Sequence, residues 1–219
     1  MGIEIDLLRN YPKTKRDPSA RANNKTEADR LVARKFGKEF FDGDRKHGYG
    51  GFTYNPRFWK PVIPTFKNYW DLRPGNSILD IGCAKGFMLH DLKEEIQGLQ
   101  VVGVDVSQYA IENAMETIQN TLHVADARNL PFSDNSFDVV ISINTIHNLE
   151  INECAQALKE IERVSKGKSF ITVDAFRTEE EKSRMFDWNL TAKTILSVVE
   201  WEALFLEIGY TGDYYWFTP

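Results

Sequence analysis

From residue 76 onward, short apolar runs alternate with amphipathic stretches, and this alternation constrains the fold more than any other feature of the chain. SILDI (77–81), VVGVDV (101–106), LHVA (122–125), FDVVISI (137–143) and FITVD (170–174) read as strands. Stretches 86–96, 108–119 and 151–165 between them carry helical periodicity. Strands that follow one another through helices must run parallel, because the chain crosses over and re-enters the sheet from the same end. The runs are apolar throughout rather than alternating, as for strands covered on both faces. The expected fold class is α/β: a Rossmann-like, doubly wound, mainly parallel sheet with helices on both faces and an N-terminal helical and loop cap. Thr178–Trp188 and Val198–Ile208 read as further helices, the second capped by Ser197 and closed by Gly209. Only 213–217 remains for a last strand, so the C-terminal part of the sheet is either reduced or hides a strand near Thr194–Ser197.

Residues 1–75 have a different grammar, and the expected division is 1–75, an N-terminal cap, and 76–219, the α/β domain. Residues 1–24 read as a loose polar arm. A helix is expected over Thr26–Phe41, with Thr26 and Asp29 as a capping box and an apolar stripe of Leu31, Val32, Phe36 and Phe40. A second helical stretch starts at Asn55-Pro56 and runs toward Trp70, broken or bent by Pro61 and Pro64. Between these lies FFDGDRKHGYGGFTYNPRFW (40–59), too glycine-rich for a helix and too polar for a buried strand.

Charge is unevenly spread. Net charge is −5, but residues 1–38 carry ten Lys/Arg against five Asp/Glu, so that part is +5 and the remainder −10. A basic segment attracts anions, whether a small acid, a phosphate or a nucleic acid. No apolar run of about 18 residues is present, so no membrane span is expected. MGIEIDLLRN has no apolar leader core. Two cysteines, Cys83 and Cys154, form no metal-type pair and no disulfide framework, and a cytoplasmic setting is expected.

The chemistry begins after the first strand, in ILDIGCAKGFMLHDL (78–92). An acid at the strand end, Asp80, is followed by Gly82 and Gly86 and then a helix. Glycines at that edge let a ligand approach the backbone. The loop lacks the Lys-Ser/Thr of a phosphate-binding P-loop. A dinucleotide fingerprint needs glycine where Ala84 and Phe87 stand. Asp105 ends the next strand and can accept both hydroxyls of a ribose. Asp126 follows the third. Three acids on successive strand tips suit a cationic or adenosyl ligand and repel a pyrophosphate.

ILDIGCAKGF, VVGVDVS and ADARNLPFSDNSFDVVISINTIHNL together resemble the class I S-adenosylmethionine-dependent methyltransferases, over roughly residues 76–175. The likeness is greatest to the small-molecule branch typified by quinone-type enzymes. It implies S-adenosylmethionine as cofactor and S-adenosylhomocysteine as product. It further implies that Gly82, Cys83, Ala84 and Gly86 wrap the methionine part, with Asp80 near its amino group. Asp105 would take the ribose hydroxyls, Val106 the adenine face, and Asp126 and Ala127 its edge. Asn144 would line the junction with the acceptor. Two departures stand out: Ala84 replaces the middle glycine, and there is little room for the usual sixth and antiparallel seventh strands.

For the acceptor, methyl transfer needs alignment and, where the nucleophile carries a proton, a base. His147 is the first candidate base and His47 the second. Arg45, Tyr49, Tyr54, Asn148 and Arg177 are candidate lid or substrate contacts. No metal is expected. Asn144-Thr145-Ile146-His147 is not the Asn/Asp-Pro-Pro-aromatic signature of base-methylating enzymes, so nucleic acid is disfavoured and the expected acceptor is an oxygen or nitrogen of a small, polar metabolite, anionic if the basic arm grips it. Methylation of RNA through the basic arm, and a non-catalytic binding domain of the same fold, are the alternatives. The glycine-rich 40–59 segment is expected to fold over the ligand edge as a lid.

Overall fold

The computed structural model describes residues 2–13 and 25–219. Seven strands form one sheet: β1 (Ser77–Ile81), β2 (Gln100–Asp105), β3 (Leu122–Val124), β4 (Val139–Ile143), β5 (Ser169–Phe176), β6 (Leu196–Ser197) and β7 (Asp213–Phe217). The order is β3-β2-β1-β4-β5-β6, with β7 also paired to β5, and every pairing is parallel. Order reverses between β1 and β4, which opens a crevice at the carboxyl ends of those strands.

The apolar runs are explained by burial on both faces. Leu79, Val140, Ile171 and Val173 pack on one side, against Leu158 and Ile161 of the helix Ile151–Val164 and Trp201 and Phe205 of the helix Val198–Ile208. Ile78, Val139, Ile141 and Phe170 pack on the other, against Phe66 and Trp70 of the helix Ile63–Trp70 and Leu89 and Leu92 of the helix Phe87–Glu95.

The C-terminal question resolves in favour of the hidden strand. β6 is two residues long, and the helix Val198–Ile208 then carries the chain across to β7. This crossover makes β7 parallel to β5, from Phe170 opposite Asp213 to Asp174 opposite Phe217, where the family resemblance implied an antiparallel strand.

Three local expectations need correction. The Thr26–Phe41 helix is two helices, Glu27–Ala33 and Lys38–Phe41, broken where Phe36 takes φ 48°. Leu31, assigned to an apolar stripe, is exposed, whereas the Thr26–Asp29 capping box is formed. The helix expected over 108–119 stops at Glu112. Residues 2–13 are not a loose arm: the Ile5 N–H donates to Tyr214 O at 2.9 Å and the Tyr214 N–H to Ile3 O at 3.1 Å, Leu7 is fully buried, and Tyr11 packs on Trp59. The alternation Ile3, Ile5, Leu7 was the available signal for this extended docking. Lys15, Arg16 and Arg21, which contribute to the basic charge, lie outside the described residues. Among the described residues no helix is long and apolar enough to cross a membrane.

Candidate functional site

The carboxyl ends of the central strands form the floor of a cleft of about 890 Å³. Gly82, Ala84, Asp105, Val106, Asp126, Ala127 and Asn144 line it, while Asp80, Cys83 and Gly86 stand behind its wall.

The turn after β1 has a specific geometric origin. The backbone N–H groups of Gly82 and Cys83 both reach Val104 O, at 2.7 and 3.0 Å. Gly82 has φ 84°, and a Cβ there would stand 2.0 Å from Thr145 Oγ1. Only glycine fits. Ala84, in place of the family's glycine, has φ 51° and carries the strain of a left-handed residue. Ala84→Gly is therefore expected to stabilise the fold by about 0.5–1 kcal/mol, the relief of strain exceeding the added flexibility of the unfolded chain. A thermal melt reads this as a rise of roughly 2 °C.

Asp105 is held by its own loops. Its Oδ2 accepts the Ala84 N–H and its Oδ1 the Ser107 N–H, both at 2.8 Å. Burial raises its pKa, opposed by those two bonds. Asp80 is pushed up to about 8, first by burial and then by the charge of Asp105. Asp126 faces the cleft, but the forked guanidinium of Arg128 holds both its oxygens, with Nε at 2.9 and 3.0 Å. Arg128 also pairs with Glu153. What Asp126 offers a ligand is thus shared with Arg128, a residue the sequence reading did not single out. Asn144, at φ 51°, turns its Oδ1 to Thr172 Oγ1 at 2.9 Å.

The 40–59 segment does roof this floor. Gly48, Tyr49, Gly51, Phe52 and Asn55 line the cleft. Phe52 stacks on Phe87 at 4.8 Å and packs at a tilt against Tyr49 at 4.2 Å. The first helix and the turn after it span the opening: Arg30 of the helix donates to Asn189 O on one bank, and Ser107 on the other donates to Phe36 O of the turn, each at 2.5 Å.

Both candidate bases are corrected. His147 lines the cleft but is 4% exposed, and its Nδ1 accepts the Asp174 N–H at 2.9 Å. The ring proton therefore sits on Nε2, which makes the free edge a donor. Burial lowers its pKa, with the Asp174 carboxylate opposing, so the ring stays neutral. His47 does not line the cleft; its Nε2 lies 3.0 Å from Asp29 Oδ1.

Among the lid candidates, Arg45, Tyr49 and Asn148 line the cleft. Tyr54 does not: its hydroxyl donates to Asp91 Oδ1 at 2.6 Å and ties the segment to the helix Phe87–Glu95. Arg177 is also elsewhere, paired with Glu4 at 2.8 Å. Two arginines not anticipated, Arg34 and Arg57, join Arg45 in the roof. Arg34 meets Glu27 at 3.2 Å and leaves its buried Nε without a partner. Arg57 lies 4.6 Å over the Phe58 ring. Arg45 donates to the carbonyls of Gly48 and Tyr49. Among the described residues neither Arg45 nor Arg57 has a carboxylate partner.

The donor set fits an adenosyl cation. The floor is acidic, Asp105 retains one lone pair on each oxygen, and the Val106 side chain is 60% exposed beside it, an apolar seat for a flat base. Among the described residues no group of three or more His, Cys, Asp or Glu is gathered as for a metal ion.

The chain has recognisable likenesses among known proteins. Residues 79–173 match the methyltransferase domain family. Over 89 residues the chain is 36% identical to the mitochondrial arginine-hydroxylase NDUFAF5 of Mus musculus, a match covering 40% of this chain and 25% of that one. Over 152 residues it is 32% identical to the demethylmenaquinone methyltransferase of Symbiobacterium thermophilum, covering 65% and 59%. A solved methyltransferase structure from an antibiotic biosynthesis pathway of Anabaena variabilis aligns with TM-score 0.54 at 27% identity, over 67% of this chain and 60% of that one. The chain spans between a quarter and three fifths of the length of these curated relatives.

Proposed function

We infer that the chain is a class I S-adenosylmethionine-dependent methyltransferase, and from that premise we propose that it transfers a methyl group to an oxygen or nitrogen of a small, polar, anionic acceptor. The observation that carries this reading is the placement of Arg45 and Arg57 in the roof above Asp105, with no carboxylate partner among the described residues. S-adenosylmethionine supplies an electrophilic methyl group when bound. Asp105 takes the ribose hydroxyls, and Val106 lies against the base. The Gly82–Gly86 turn brings backbone, rather than side chains, up to the methionine end. The arginines hold the acid of the acceptor, as guanidinium groups do with carboxylate or phosphate. Tyr49 and Phe52 exclude water from above. His147, fixed with its proton on Nε2, donates a hydrogen bond and orients the acceptor without removing a proton from it.

The test is a turnover screen of metabolite pools with the protein and S-adenosylmethionine, reading the mass gain of one methyl group. An acidic product whose formation falls at least tenfold in Arg57→Gln supports the reading. Turnover confined to neutral or cationic metabolites overturns it. The basic charge of residues 1–38 favours one second reading, an RNA acceptor. That reading predicts methyl incorporation into RNA and an affinity that falls steeply with salt.

A further inference from the structure

Lys85 is the residue of the glycine turn that no resemblance accounts for. It lies between Ala84 and Gly86, both with positive φ, and its carbonyl accepts the Met115 N–H at 3.1 Å, so its backbone is held on both sides. Its side chain is buried, with the residue only 7% exposed. A buried ammonium is costly unless it is paired and hydrogen-bonded. Both partners come from the lid: Asp42 Oδ2 at 2.7 Å and Phe52 O at 2.9 Å.

Asp42 is just as fully engaged. Its Oδ1 accepts the Phe52 N–H at 2.9 Å, and its Oδ2 accepts the Tyr109 hydroxyl at 2.7 Å as well as Lys85. Partial burial works against the charged form, yet the bonds from Lys85, Tyr109 and Phe52 outweigh it and hold Asp42 at about 2. One carboxylate therefore closes the 42–52 loop on itself and fastens it to the glycine turn and to the helix Gln108–Glu112. The loop so closed carries Arg45 and Tyr49, which roof the cleft. The turn so fastened carries the Ala84 N–H that Asp105 binds. A rigid covalent neighbour thus joins the two halves of the site: Ala84 on the cofactor side is one residue from the ammonium that holds the lid.

We propose that Lys85 and Asp42 are positioning residues that couple the cofactor half of the cleft to the lid over the acceptor half, so that cofactor binding builds the acceptor site. The inference rests on the S-adenosylmethionine reading of the floor. An ion pair suits this role because it is directional and can reform in one register, whereas an apolar seal is not. Coupling of this kind is reciprocal: whatever the lid gains from the ligand, the ligand gains from the lid.

The experiment uses the full chain and S-adenosylhomocysteine as probe, with affinity from calorimetry and amide exchange across 42–53. In the wild type the probe is expected to slow exchange across 42–53 at least tenfold. In Lys85→Met and Asp42→Asn that protection is lost and affinity falls about tenfold. The double variant loses no more than either alone, and Lys85→Arg restores most of the protection. Tyr109→Phe, which removes one bond from Asp42 without touching its charge, loses part of the protection and guards against an outcome due to misfolding. A probe that binds the wild type yet leaves exchange across 42–53 unchanged overturns the coupling. So does full protection in a folded Lys85→Met. A wild type that does not bind the probe at all overturns the cofactor reading instead.

Discussion

Asp105→Ala lowers the affinity for S-adenosylhomocysteine by at least about a hundredfold, the loss of two hydrogen bonds to a charged acceptor at roughly 1.5–3 kcal/mol each. The carboxylate has two duties. It presents its free lone pairs to the cleft, and it satisfies the backbone N–H groups of Ala84 and Ser107 at 2.8 Å. Removing it strips the ribose acceptor and orphans both amides, so the turn loses definition together with the ligand. Asp105→Asn separates the duties: its one carbonyl oxygen still serves a single amide, and the charge is gone. It is expected to melt between the wild type and Asp105→Ala, since one amide stays satisfied and the other does not, and to bind nearly as poorly as Asp105→Ala. Calorimetry showing unchanged affinity in either folded variant removes Asp105 from the site.

The second large effect is on pH. Asp80 sits at about 8 in the ligand-free protein, because burial and the neighbouring Asp105 charge both disfavour its anion. A cation entering the cleft favours that anion. Below pH 8, binding must therefore expel a proton, and affinity for S-adenosylmethionine rises with pH up to a plateau above 8. The limiting slope is about tenfold per unit and halves near pH 8, so the gain between pH 6 and 8 is about fiftyfold. Titrations in buffers of different ionisation enthalpy count the proton directly. Asp80→Asn flattens the profile. The same shift has the opposite sign for folding: a carboxyl whose folded pKa is raised stabilises the fold below its unfolded value near 4, and that contribution is lost as pH climbs through 8. The melting temperature without ligand thus falls over the range in which affinity rises. A pH-independent affinity with no proton release means that Asp80 keeps its proton in the complex.

Local patterns were legible. ILDIGCAKGF, VVGVDVS and FDVVISI are short, and their meaning depends on neighbours close in the chain: an apolar run, an acid at its end, a glycine turn, a helix. The Thr26–Asp29 capping pair and the Ser197 cap were legible for the same reason, since each acts within three residues. What could not be read depends on contacts between distant segments. Arg177 looked available to a substrate until Glu4 was found beside it. Tyr54 looked like a lid residue facing inward until Asp91 took its hydroxyl. His147 had the right position for a base, and only the amide of Asp174, on another strand, decided which ring nitrogen bears the proton.

The amino-acid order by itself determined that this chain forms a parallel sheet with an acidic carboxyl edge, because strand periodicity, crossover length and strand-end residues are properties of contiguous sequence. The tertiary structure alone decided which charges meet across that edge: Lys85 with Asp42, and Arg34, Arg45 and Arg57 over the cleft. The physical reason is that a buried charge takes its identity from its partner, and the partner is chosen by packing rather than by distance along the chain.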